Sequence, residues 1–302
     1  MRNHSDEFPI IKMAKVLKVS RAGYYQYIDK NESEREKRNK ELTIKIKTIF
    51  ENSRQNYGSP RVCAALRNQG ESCSRKRVAK IMRQNRIQAK IRRKWKASSM
   101  TTRDLSIMAP NLLKQNFIVS KANAAWVHDI TYIKTNEGWL YVSAVLDLYS
   151  RKIVGLSMGS CIDTRLVIRS LEQAICHRSP LAGLILHSDR GTQYTSHEYK
   201  IFTQKAGIIL SMSAQGNCYD NVVIESFFHT LKTEHVFFYA FRTRQEAIRS
   251  IFEYIEVYYN RQRAHSTLNY LSPQEFEMQG AIMESRVKSA LPAVEAKSVL
   301  VM

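Results

Sequence analysis

Two hydrophobic rhythms divide the chain. From Ile10 to Met82 apolar residues recur at three- and four-residue spacing, whereas from Ala125 to Met158 they crowd into short runs rich in Val, Ile, Tyr and Trp. The first rhythm belongs to helices and the second to strands. Ile10, Ile11, Met13, Ala14 and Leu17 make one helical stripe, broken at Val19-Ser20. Ser20 is placed to cap a second short helix over 21–28, giving a helix-turn-helix-like pair. The charge-dense stretch 31–41 leads into a longer helix through Ile44, Ile46, Ile49 and Phe50. Ser59 and Pro60 then start a helix that buries Val62, Ala65 and Leu66 and ends at Gly70. Ser74 caps a further helix over 75–84, whose apolar stripe is Val78, Ile81 and Met82.

After a polar, weakly periodic stretch the period changes to two. Runs over 125–134, 139–146 and 152–158 read as three antiparallel strands joined by short turns. Asp163 caps a helix reaching about His177. A short buried run over 184–187 follows a helix, so it pairs parallel to the first strand. A helix over 196–206, a strand over 208–212 and helices over 220–232 and 244–259 complete the order. That order, β-β-β-α-β-α-β-α, matches the RNase H-like fold. The expected organisation is α/β: a mixed five-stranded RNase H-like core over 123–280 behind an all-α DNA-binding region. That region comprises a helix-turn-helix-like segment at 1–38 and a basic helical domain at 39–100. Residues 101–122 read as a linker and 281–302 as a disordered tail.

Charge sharpens this division. Of the net +20, residues 1–120 carry +18 and residues 121–302 only +2. A polycation joined to a nearly neutral domain is expected where one part grips phosphate and the other does something else. The helix over 75–84 presents Arg75, Lys76, Arg77, Lys80 and Arg83 opposite its apolar stripe, the plan of a recognition helix in a major groove. Arg92, Arg93 and Lys94 around Trp95 extend it as a basic arm. No apolar run approaches a membrane span of about 18 residues, so no membrane partner and a cytoplasmic location are expected. Five cysteines without C-x-x-C spacing fit reduced thiols and disfavour a zinc module.

The nearly neutral half holds the candidate chemistry. Phosphodiester transfer requires divalent cations more than covalent catalysis, and a hard cation requires carboxylate oxygens. Asp129 lies inside an otherwise apolar strand, where an uncompensated carboxylate is costly. Asp189 directly follows the fourth strand, which neighbours the first. Glu225 sits one turn into a helix. Asp220 reads as an N-cap, Asp147 has a turn role, and Glu234 lies too far along its helix. His229 and Lys232 share a helix face with Glu225. Asn260, Arg261, Arg263 and His265, after the last long helix, read either as a polar cap or as contacts with DNA or the site rim.

Seven strings carry a family resemblance: Val19-Ser20-Arg21-Ala22-Gly23-Tyr24-Tyr25, Tyr57-Gly58-Ser59-Pro60-Arg61-Val62, Trp126-Val127-His128-Asp129-Ile130-Thr131-Tyr132, Leu146-Asp147-Leu148-Tyr149-Ser150-Arg151, His187-Ser188-Asp189-Arg190-Gly191, Gly216-Asn217-Cys218-Tyr219-Asp220-Asn221 and Tyr259-Asn260-Arg261-Gln262-Arg263-Ala264-His265. Over residues 8–278 the chain resembles the OrfB-type DDE transposases of bacterial insertion sequences, the IS-three family. The resemblance implies that Asp129, Asp189 and Glu225 form a catalytic triad holding Mg²⁺ or Mn²⁺, with two ions expected. It implies cleavage at element ends and transfer of the freed 3′-hydroxyl to double-stranded target DNA. Because two DNA ends must be handled together, a homo-oligomer in the synaptic complex is expected, and the resemblance further implies a partner from the upstream frame, the OrfA product. Three other readings compete: a DNA-binding protein with a silent core, a retroviral-type integrase, and a structure-selective nuclease of the same fold.

Overall fold

The computed structural model describes residues 1–28, 33–90, 109–213 and 218–290. Five helices come first: α1 (Ile10–Val16), α2 (Arg21–Ile28), α3 (Glu34–Asn52), α4 (Ser59–Asn68) and α5 (Arg75–Gln84). The core follows as β1 (Ala125–Thr135), β2 (Gly138–Asp147), β3 (Ile153–Gly159), α6 (Thr164–Arg178), β4 (Ile185–Ser188), α7 (Thr192–Thr195), α8 (His197–Lys205), β5 (Ile209–Met212), α9 (Val222–Glu234) and α10 (Arg244–Glu253). A π-helical turn, Tyr254–Tyr259, extends α10, and α11 (Pro273–Ala290) ends the described chain.

Strand order is β3-β2-β1-β4-β5. The hairpins β1–β2 and β2–β3 are antiparallel, and β4 and β5 run parallel to β1. This is the mixed RNase H-like sheet the period-two runs predict. Because side chains alternate across a strand, β1 sends Val127 to one face and Trp126 to the other. Val127 packs with Ile224, Phe227 and Leu231 of α9 and Ile251 of α10. Trp126 packs with Val167, Leu171 and Ala174 of α6 and Tyr199 of α8. Each such fully buried side chain contributes roughly 1.5–3 kcal/mol of apolar transfer, so both helical layers fix the sheet. Gly155 on β3 is set by close approach: a Cβ there would stand 2.1 Å from the carbonyl oxygen of Ser170 on α6.

Helices α3, α4 and α5 enclose their own core of Leu42, Ile46, Val62, Leu66, Val78 and Ile81. Ser33 opens α3 with a capping box on Glu36, and Ser74 caps α5 through the N–H of Arg77. α3 therefore begins before residue 38, and the expected boundary at 38/39 falls inside one helix. This three-helix unit rests on the core domain. The Tyr258 hydroxyl donates to Ser53 O at 2.9 Å, Ala264 N–H donates to the Tyr57 hydroxyl at 2.6 Å, and Arg54 Nη1 reaches Glu253 at 3.0 Å.

Other expectations need correction. Residues 109–122 are not a free linker. Leu113 is buried in the core, Leu112 N–H donates to Ser211 Oγ at 2.9 Å, and Met212 N–H donates to Pro110 O at 3.3 Å. Residues 281–290 are not an irregular tail, since α11 runs through them without a Gly or Pro interruption after Gly280. Glu277 anchors that helix, accepting from Arg178 Nη2 at 2.7 Å and Ser150 Oγ at 2.7 Å. Asp220 does not cap α9: the N-cap is Asn221, and the buried Asp220 carboxylate accepts from Asn111 Nδ2 at 2.9 Å.

Candidate active site

The register of β1 and β4 builds the site. Their last parallel pair is His128 with Ser188. The next residues are Asp129, still within β1 and paired with Ala144 of β2, and Asp189, just past the end of β4, so the two acids occupy equivalent positions on strands about 4.8 Å apart. Each carboxylate accepts from a nearby backbone N–H, within β1 for Asp129 and in the turn after β4 for Asp189. Asp129 Oδ1 accepts from Ile130 N–H at 2.8 Å, and Asp189 Oδ1 accepts from Gly191 N–H at 2.9 Å. Gly191 allows that turn, because a Cβ there would meet Asp189 Oδ1 at 3.0 Å. Helix α9 packs against β1 through its apolar face and lifts Glu225, His229 and Lys232 on another.

The electrostatics follow from this crowding. Burial and the charge of Asp189 push the Asp129 carboxyl well above the usual carboxylate range. The Ile130 N–H opposes this, Glu225 adds to it, and Lys232 partly offsets it. Burial also raises Asp189, and burial followed by the Asp189 charge raises Glu225. Asp189 and Glu225 retain solvent-facing surface, so the cleft is open although protein surrounds the carboxylates. Lys232 is held below the usual lysine range by burial, against the pull of Asp129. Three acids thus repel one another beside one cation. Such a set of hard oxygen donors suits a divalent ion, which requires ionised carboxylates and relieves their repulsion. Among the described residues no three or more Asp, Glu, His or Cys side chains stand close enough together to hold a metal ion as they are placed here. The acids sense each other's charge without being locked together.

Tyr194, which no sequence pattern singles out, joins this group. Its ring packs edge-on against His128 at 5.0 Å and Tyr199 at 5.5 Å. Its hydroxyl is buried without a hydrogen-bond partner, and its pKa is raised by burial and then by the charges of Asp129 and Asp189. An orphaned buried hydroxyl is costly and here lies beside the acids. His187 and His128 are structural. His187 Nδ1 pairs with Ser211 Oγ at 2.8 Å, and His128 pairs with Tyr199, Ser143 and Ser170 at 2.9 Å each.

The remaining residues divide sharply. Arg75, Lys76 and Lys80 are exposed on α5, as the recognition-helix reading requires. Arg77 is instead turned onto α3, where its Nη2 donates to Asn39 Oδ1 at 2.8 Å. Arg92, Arg93 and Lys94 lie outside the described residues. Arg261 and His229 are exposed. Arg263 is not a DNA contact: it is 4% exposed and grips Glu234 through two 2.7 Å bonds. Asn260 is equally structural, because its side-chain amide pairs with both backbone groups of Ile153 at 3.0 Å. His265 bonds to Thr267 and lines a cavity of about 240 Å³ with Arg151, Ser226 and Thr230.

An RNase H-like sheet behind a helical DNA-binding-type region is the architecture of the integrase-core enzymes. The integrase core domain family matches residues 119–218 and again 225–280, and the HTH-like domain family matches 36–95. Transposase InsF for insertion sequence IS3A of Escherichia coli (strain K12) is 38% identical over 279 residues, 92% of this chain and 96% of the relative. The uncharacterized 31 kDa protein of insertion element IS600 from Shigella sonnei is 41% identical over 264 residues, 87% of this chain and 97% of the relative. The chain belongs to the IS3 family of insertion-sequence transposases. Among solved structures, the catalytic core of BIV integrase overlays 54% of this chain and 99% of its own, with a TM-score of 0.42 at 18% identity.

Proposed function

We propose that Asp129, Asp189 and Glu225 are the catalytic triad of this transposase, holding two divalent cations, Mg²⁺ or Mn²⁺, at the cleft. The observation carrying this reading is the β1–β4 register, which sets Asp129 beside Asp189 under the helix that bears Glu225. When bound, the cations supply Lewis acidity that activates a hydroxyl nucleophile and stabilises the leaving oxygen.

The chain's own residues do the rest. Lys232 offers its ammonium to a DNA phosphate beside the acids, and the Tyr194 hydroxyl, which has no hydrogen-bond partner here, is free to donate once the acids engage metal or DNA. His229, exposed on the same face, contacts the DNA strand at the rim. Arg75, Lys76 and Lys80 read or grip terminal-repeat DNA, while Arg92, Arg93, Lys94 and Arg261 neutralise phosphate. Because two element ends must be joined together, the working form is a homo-oligomer on double-stranded DNA, assisted by the upstream-frame OrfA product. Its site of action is the bacterial cytoplasm, on nucleoid DNA.

The test is joining of an element-end oligonucleotide to target DNA in Mg²⁺. Glu225→Gln should abolish joined products and leave end binding within about two-fold, since the substitution is isosteric and lies off α5. Joining at the wild-type rate by that variant would overturn the triad. Cut ends without joined products from the wild-type chain would favour the nuclease reading.

A further inference from the structure

Beside the acids, the β1–β2 hairpin carries an aromatic surface that the triad does not use. Tyr132 stands three residues beyond Asp129 on β1, about 10 Å along the strand at the usual rise and, by the alternation of side chains, on the other face of the sheet; Lys232 bridges the two at the exposed edge of β1. Tyr132 and Trp139 are 44% and 46% exposed, large values for residues that normally bury their rings. The two rings pack perpendicular to each other at 5.1 Å. Lys232 Nζ lies 5.0 Å from the centre of the Tyr132 ring. Lys134, exposed, is the cross-strand partner of Trp139, and half-buried Tyr141 is the partner of Tyr132. All four hairpin residues therefore share one sheet face.

This face is held rigid. Arg244 of α10 donates from Nε to Trp139 O at 2.9 Å and from its backbone N–H to the Glu137 carboxylate at 2.7 Å. Thr135 Oγ1 donates to Gly138 O at 2.7 Å, closing the turn. Open aromatic rings with interleaved cations on a braced surface are what an unpaired nucleobase requires: a π-face to stack on and positive charge for the adjoining phosphate. A paired duplex keeps its bases stacked on each other and has no use for such rings.

We propose that Trp139 and Tyr132 form a stacking platform for a nucleobase splayed out of the DNA strand next to the scissile phosphate. The inference rests on the triad reading for its position, since Lys232, which feels the charge of Asp129, also lies against the Tyr132 ring. The platform holds the strand end open, so the phosphate at the acids need not be drawn from an intact duplex.

The test uses the full chain without divalent metal and element-end duplexes carrying 2-aminopurine at successive positions around the cleavage point. Wild type should change the probe's fluorescence at one or two adjacent positions and prefer a duplex with an unpaired flank over a fully paired one. Trp139→Ala should abolish that signal and lower the preference roughly ten-fold, within the range aromatic stacking supports. Trp139→Phe should restore most of both. An unchanged signal and preference in Trp139→Ala would overturn the platform even if joining in Mg²⁺ proceeds. Joining at the wild-type rate by Glu225→Gln would sink the triad reading, whereas an unchanged Trp139→Ala signal would sink the platform, so the two failures are told apart.

Discussion

Arg263 and Arg261 look alike in sequence, and the structure gives them opposite roles that one substitution can separate. Arg263 is 4% exposed and donates to both oxygens of Glu234 at 2.7 Å. Glu234 also accepts from Tyr254 at 3.1 Å and from Arg61 of α4 at 3.2 Å. The network keeps the Glu234 carboxyl below its ordinary range despite burial. Arg263→Ala removes two charge-assisted bonds and leaves a carboxylate whose side chain is only 14% exposed. Breaking a buried pair in this way costs about 3–5 kcal/mol. For a protein of this size that lowers the melting temperature by about 5–8 °C. The loss also reaches the docking of the helical region, because Arg61 enters from α4. Replacing both partners by Met and Leu should recover most of the loss, since the pair itself contributes little beyond mutual compensation. Thermal and urea melts check the cost, and a salt titration of DNA binding checks the role. A wild-type melt for Arg263→Ala, with the salt slope reduced by about 1, would refute the structural role and return Arg263 to the DNA.

Four further outcomes are expected. Lys232→Gln should weaken element-end binding across sequences and reduce the salt slope by about 1, which filter binding at several ionic strengths measures. Tyr194→Phe should leave metal-free stability within about 1 kcal/mol, because the deleted hydroxyl has no partner, while slowing joining; a larger loss in a urea melt would reveal a structural bond. His128 is held down to about 3 by burial, so the folded form stays neutral while the unfolded chain protonates near 6.5. Its contribution is whole above pH 6.5 and drains by about 1.4 kcal/mol per pH unit below it; His128→Gln should flatten the acid limb of stability against pH. Gly155→Val should destabilise by about 3 kcal/mol or more, since even a Cβ would stand 2.1 Å from Ser170 O, and circular dichroism melts would show it.

Much of the core was legible because its signals are local. Strands β1 to β3 lie within a residue or two of the apolar runs, since Val, Ile, Tyr and Trp fit a pleated sheet and polar turns bound them. Ser74 and Asp163 marked helix starts because their side chains satisfy backbone donors within three residues. What was hidden depends on distant partners. Nothing near Arg263 announces Glu234, and nothing near Asn260 announces the edge of β3. Residues 109–122 looked like a linker because isolated Leu113 has no periodic companions, yet the sheet buries it. Asp220 resembled a cap by position, but Asn111 claims its carboxylate. The acids were legible because a carboxylate inside an apolar strand requires an explanation. Tyr194 was not, since a buried Tyr is ordinary until its hydroxyl proves unpartnered.

The most direct measurement is Mn²⁺ titration of the chain bound to an element-end duplex, followed by calorimetry or electron paramagnetic resonance. If Asp129, Asp189 and Glu225 together hold the ions, wild type should take up two per active site, and Asp129→Asn should lose at least one with DNA affinity unchanged. Equal Mn²⁺ uptake by wild type and Asp129→Asn would contradict the account.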